Sequence, residues 1–193
     1  MTRTPLTATT VIAEAADLAD ETGFDTVTLS AVARRLTVRT PSLYSHIRDR
    51  DALLDGIAAL ALTELATNIG KAIAGRSGRE ALAAFATAYR TYARTSPGRW
   101  QSLQRKTGET VAQSTAARDV VTLTGALLRG YAIPEQEHVH AVRLLGSTIN
   151  GYLALERNGS FDHSDPPPAQ SWTRIIDALD ALLQVWPNRL PPG

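Results

Sequence analysis

The chain has no cysteine among its 193 residues. Disulfide staples and cysteine nucleophiles are therefore excluded, and the composition suits a reducing compartment. Long apolar runs are missing too. The longest, 57–62, stops at Thr63 and Glu64, whereas a membrane-spanning helix needs about 18 apolar residues in a row. The opening segment MTRTPLTATT lacks the apolar centre of a secretory signal. The expectation is a soluble, cytoplasmic protein with no membrane partner. Catalytic signatures are equally scarce, with no Gly-x-Ser-x-Gly, no P-loop and no dinucleotide fingerprint. His138 and His140 are two residues apart, so on a helix they point in different directions and make poor joint metal ligands. Glu135 and Glu137 read as a solvated helix start. No enzyme, no metal site and no cofactor is expected.

What is present is helical. Apolar residues make up 44% and charged residues 20% of the chain, enough for a packed core and against general disorder. Strand-like alternation is scarce, and apolar residues recur at helical spacing. A first helix is expected over 8–22, with Ile12, Ala15, Ala16 and Ala19 on one side and Gly23 as a left-handed C-cap before Phe24. Thr28 caps a second, short helix whose Leu29, Val32, Ala33 and Leu36 form a complete apolar stripe. After Thr37-Val38-Arg39, Thr40 caps a third helix with Pro41 in its first position, running to about Ile47 with Leu43 and Ile47 inward. Asp49 caps a longer helix with Leu53, Leu54, Ile57, Ala61, Leu65 and Ile69 on its apolar face. Further helices are expected over about 79–95, around Trp100 and Leu103, over about 111–131, from Pro134 to about 157, and over about 171–185. Between them lie the break at 75–78, Pro97-Gly98, and a loop over 158–170. Pro187 begins a loose tail.

The net charge is only +1, but it is unevenly placed. Positions 14–25 hold five acids and no base, and 34–50 hold five arginines against Asp49 alone. The latter is a local basic patch, the minimum footprint for a phosphate backbone. The outward positions of the third helix are Arg39, Thr40, Ser42, Tyr44, Ser45 and His46. All can hydrogen-bond and none is a carboxylate. A short helix with this surface, flanked by Arg48 and Arg50, suits the DNA major groove with phosphate contacts at its edges. Competing readings are a core role for Tyr44 and, for His46, a helix-end histidine favoured by the C-terminal dipole.

The stretch 23–54, GFDTVTLSAVARRLTVRTPSLYSHIRDRDALL, resembles the DNA-binding head of the TetR family. The matching features are Gly23, Thr28–Leu29, Val32-Ala33 with Leu36, and above all Pro41-Ser42-Leu43-Tyr44-Ser45-His46-Ile47 followed by Asp51-Ala52-Leu53-Leu54. Thr37 departs from the glycine usual at the turn, and Arg50 from a lysine. The resemblance implies an all-α protein: a three-helix helix-turn-helix domain over 1–50 and a helical effector-binding and dimerisation domain over 51–193. By position it implies that Tyr44 and His46 hold the DNA backbone and that Arg50 adds to the clamp. Arg39, Thr40, Pro41, Ser42 and Ser45 would meet base edges, with Arg39 reading a guanine.

It further implies a transcriptional repressor that binds a palindromic operator as a homodimer and answers a small hydrophobic effector. Phe85, Tyr89, Tyr92, Trp100 and Leu103 are candidate pocket walls, with Asn150 to orient a polar ligand group; aromatic core packing is the competing reading. The C-terminal helices are the expected dimer seam, through Ile149, Leu153, Ile175, Ile176, Leu179, Leu182 and Leu183. Completion of the single chain's own core is the competing reading there. The segment 144–161 is similar to one C-terminal subfamily, with Asn150-Gly151 where His-Gly is common, then Leu155-Glu156 and Gly159-Ser160-Phe161. A rival function is a helical module that binds a ligand or a protein and whose helix-turn-helix leaves DNA alone. Steep weakening of DNA binding by salt separates the two.

Overall fold

Helix α1, Ala8–Thr22, begins where the Thr7 hydroxyl accepts the Thr10 N–H at 3.1 Å and ends at Gly23, whose φ of 96° releases the chain from the helix. Its Val11, Ala15, Ala16 and Ala19 are buried, while Ile12 is half-buried. The computed structural model describes residues 5–106 and 108–186; the tail expected from Pro187 lies outside them. Among the described residues all regular structure is helical. Contacts divide the chain into two units: Met1–Ala66 with Thr91–Arg118, and Thr67–Arg90 with Asp119–Gly193.

In the first unit, helix α2, Leu29–Arg35, is capped by Thr28, whose hydroxyl accepts the Ala31 N–H at 3.2 Å. Helix α3, Arg50–Ile73, starts with the Ala52 N–H donating to the Asp49 carboxylate at 2.8 Å. By length and apolar composition alone, α3 could cross a membrane. Its Leu53, Leu54, Ile57, Ala61, Leu65 and Ile69 are instead buried, as a core helix requires. The core of the head gathers α1, α2, Leu43, Ile47 and the start of α3.

Helix α4 is Gly78–Thr95 and helix α5 is Pro97–Ser102. In the first unit α5 lies against α1 so closely that a Cβ on Gly98 would sit 2.1 Å from the Ala19 carbonyl carbon. Gly98 is therefore a contact point as well as a helix boundary. Asp20 receives the α5 N-terminus: its Oδ1 accepts the Gly98 N–H at 2.8 Å and the Arg99 N–H at 2.9 Å. The Arg99 guanidinium pairs with Asp20 and donates to Asp17 at 2.6 Å. Its Nε lies 3.6 Å from Glu64, which also accepts the Tyr92 hydroxyl at 2.8 Å.

The single helix expected over 111–131 is two: α6, Glu109–Ala112, and α7, Thr115–Leu128. Ser114 separates them by accepting the Ala117 N–H at 3.1 Å, an N-cap that restarts the helix. In the second unit, α4 up to Arg90, α7, helix α8 (His138–Arg157) and helix α9 (Pro168–Gln184) enclose Leu82, Phe85, Leu128, Leu145, Ile149, Ile176 and Leu183. Helix α9 starts three residues earlier than expected, because Pro168 fits its first turn, where no N–H partner is needed.

Candidate functional site

The third helix of the head is shorter and tighter than its pattern predicts. Thr40–Leu43 form a 3-10 turn, followed by further turns to His46. Thr40 does not cap it; Arg39 occupies that position in extended conformation, with no side-chain cap bond. The cause is local. Pro41 lacks an N–H and disfavours the α region at Thr40, and hydroxyl side chains compete for backbone groups. Ser45 spends its hydroxyl proton on the Ser42 carbonyl at 2.9 Å. The Ile47 N–H donates to the Leu43 carbonyl at 2.8 Å and closes the segment.

Leu43 and Ile47 are buried and anchor this turn. Arg39, Pro41, Ser42, Tyr44, Ser45 and Arg50 are exposed, and Thr40 and His46 half-buried. Tyr44 is 56% exposed, so it is not a core aromatic. The eight expected DNA-facing residues are thus brought to one short surface segment and to the start of α3.

The arginines of the basic patch divide into different roles. Arg35 donates to Glu14 at 2.9 Å and forks onto both Glu21 oxygens at 2.6 and 2.8 Å. It ties α2 to α1, and its hydrogen bonds, with its charge a smaller part, hold the Glu21 carboxyl below its ordinary value. Arg50 donates to the Val27 carbonyl at 2.9 Å and to the Asp25 carbonyl at 3.3 Å, bracing the turn between α1 and α2. Arg48 pairs with Asp49 at 2.7 Å. Arg34 and Arg39 are exposed and make no ion pair with any described residue. Sequence reasoning counted Arg34 in the patch without singling it out; nothing in a charge count tells a spent arginine from an available one.

The second unit holds a cleft of about 380 Å³, measured to its open mouth, between α4, α7 and α8. Phe85, Tyr89 and Asn150 are among the residues that line it. Tyr92, Trp100 and Leu103 are not. Tyr92 is bonded to Glu64, and Trp100 is buried in the first unit, its Nε1–H unpartnered among the described residues. Tyr92 and Trp100 are core aromatics, and Leu103 is half-buried. Val120 and Val121, whose chain position gave no such signal, join the lining from α7.

Of the residues expected at a dimer seam, Ile149, Leu153, Ile176, Leu179 and Leu183 are buried within the single chain. They complete its own core. Ile175 is half-buried and Leu182 is 41% exposed. Other apolar residues left in solvent on α8 are Val139 and Leu155, 55% and 48% exposed. The 144–161 motif has a structural explanation. Glu156 pairs with Arg90 of α4, Gly159 turns the chain at φ 72°, and Phe161 stacks on Tyr152 with centroids 5.0 Å apart.

Residues 11–57 match the family model for bacterial regulatory proteins of the tetR family, and residues 82–179 match that for the tetracyclin repressor-like C-terminal domain. The uncharacterized HTH-type transcriptional regulator YobS of Bacillus subtilis is 28% identical over 163 residues, covering 84% of this chain and 85% of its own. Among solved structures, BioQ with its natural double-stranded DNA operator shares the fold at TM-score 0.67 and 19% identity, over 92% of this chain and 99% of that one. A TetR variant of Acinetobacter baumannii in complex with minocycline does so at TM-score 0.67 and 24% identity, over 92% and 96%.

Proposed function

This chain belongs to the TetR family of DNA-binding transcription regulators, and from that premise we propose that it is a homodimeric repressor released from a palindromic operator by a small hydrophobic effector. The family is one of regulators and not of enzymes. The observation that carries the reading is the exposed, carboxylate-free surface of 39–46, held out by buried Leu43 and Ile47. In the proposal the DNA head is residues 1–50. Arg39 reads a guanine edge, and Thr40, Pro41, Ser42 and Ser45 meet neighbouring bases. Tyr44 and His46 hold phosphates. Arg50 braces the Asp25–Val27 turn and turns its remaining N–H groups to the backbone.

One such turn makes few base contacts, so two-fold repetition on a palindrome supplies the rest. The seam is assigned to the C-terminal helices through Ile175 and Leu182, joined by the exposed Val139 and Leu155. The α4–α7–α8 cleft is the effector site, with Phe85, Tyr89 and Asn150 in its wall. BioQ bound to operator and the minocycline complex support the two halves of this reading in proteins of the same fold. A nearly complete switch requires the effector to prefer the released state by about 5.5 kcal/mol. Cytoplasmic location follows from a DNA target.

Selection of bound duplexes from a random pool tests the proposal. The expected product is a palindrome whose affinity falls steeply with added salt. Arg39→Ala is expected to relax preference at one base pair per half-site, costing about 1–3 kcal/mol on the parent operator. Tyr44→Phe is expected to weaken all duplexes alike. Recovery of no enriched sequence, or an unchanged profile for Arg39→Ala, overturns the respective assignment.

A further inference from the structure

We propose that the α4–α7–α8 cleft takes a small, electrically neutral ligand that presents a carbonyl-type acceptor to the Tyr89 hydroxyl; this deepens the effector reading above and rests on it. None of the ten lining residues is charged, and five of them, among them Val120, Val142 and Ile149, are aliphatic. An anionic ligand would surrender its hydration there without meeting a cation. The lining therefore selects against carboxylates and phosphates and favours an apolar body.

Polar groups in the wall are few, and their donors differ in availability. Thr124 donates its hydroxyl proton to the Val120 carbonyl at 2.7 Å. The Asn150 amide donates to the Gly146 carbonyl at 2.9 Å. The Tyr89 hydroxyl makes no hydrogen bond with any described residue. Burial pushes its pKa up to about 12, so at neutral pH it is a protonated donor. Phe85 lies against its ring, centroids 5.1 Å apart, and packs one side of it. An unspent donor in an apolar wall is matched by a neutral acceptor on the ligand.

Three probes sharing one ring system separate the possibilities: 2-acetylnaphthalene, 2-naphthoate and 2-isopropylnaphthalene, titrated calorimetrically into the full chain at pH 7. The ketone is expected to bind at least about tenfold tighter than the carboxylate. Tyr89→Phe is expected to weaken the ketone about fivefold and to leave the hydrocarbon within about twofold. Tyr89→Met, which also lacks the hydroxyl, replaces it if the phenylalanine variant melts well below the parent. Tightest binding by the naphthoate overturns the neutral-ligand assignment, and so does an equal loss of ketone and hydrocarbon in the variant. If the naphthoate also releases operator DNA, the effector reading stands while this one falls. If no probe binds up to its solubility limit, both fall.

Discussion

Thr37 is, among the described residues, the one non-glycine with a positive φ, 56°. It sits where the resembling family usually has glycine. A β-branched residue in the left-handed region costs roughly 1–2 kcal/mol, while glycine costs roughly 0.5–1 kcal/mol in unfolded-chain entropy. Strain is the larger effect, and the exposed Thr37 side chain gives up little packing. Thr37→Gly is expected to raise stability by about 0.5–1 kcal/mol, read as a higher urea midpoint at unchanged slope; a lower midpoint would show the threonine is favoured by something else. Asp49 supplies a pH signature at the same scale. The Ala52 N–H, and after it Arg48, hold its carboxyl below the ordinary aspartate value. Because the folded value lies below the unfolded one, the stabilisation is complete above about pH 3.9 and is lost as pH falls through the lowered value. Asp49→Asn is expected to melt slightly lower than the parent at neutral pH and to converge with it under acid. Parallel melting curves at every pH would remove the charge from the explanation.

At the scale of elements, capping residues decided the starts of α1, α2, α3 and α7, and they were readable where the cap was the conspicuous polar residue before an apolar stripe. Thr28 and Asp49 are such cases. Ser114 was not, because helical spacing continues on both sides of it, and only its bond to Ala117 marks the restart. The α1–α5 joint was less legible still. Pro97-Gly98 reads as a stop, yet Gly98 also admits the Ala19 backbone and Asp20 caps the new helix. The two aspartates facing Arg99 differ in setting: the Asp20 side chain is 14% exposed and that of Asp17 is 47%. Removing a partner from a buried pair costs about 3 kcal/mol or more, whereas an exposed pair contributes under about 1 kcal/mol. Asp20→Ala is therefore expected to lower unfolding stability severalfold more than Asp17→Ala. Equal losses in chemical denaturation would mean that the α5 cap carries little of the joint.

For the molecule as a whole, the proposed dimer requires apolar surface that the single chain leaves uncovered. Helix α9 is amphipathic, and both a monomer core and a dimer seam are satisfied by such a helix. The structure spends Ile176, Leu179 and Leu183 inside the chain and leaves Leu182 in solvent. Leu182→Glu is expected to yield folded monomers that melt near the parent in a concentration-independent manner. Ile176→Glu, which buries an unpaired charge, is expected to unfold the chain. Sedimentation of the Leu182 variant as an intact dimer would move the seam elsewhere on the C-terminal helices.

The amino-acid order by itself determined the helical class, most helix starts and stops, and the carboxylate-free segment 39–46 that the head exposes. Those follow from short-range physics: apolar spacing, capping hydroxyls and carboxylates, and the fixed torsion of proline act within a few residues. Tertiary packing alone decided which of two chemically equal residues is used. It spent Arg35 on Glu14 and Glu21 and left Arg34 in solvent, put Tyr89 in the cleft wall and Tyr92 on Glu64, and buried Ile176 while exposing Leu182. Burial and pairing depend on partners distant in the chain, so local pattern carries no record of them.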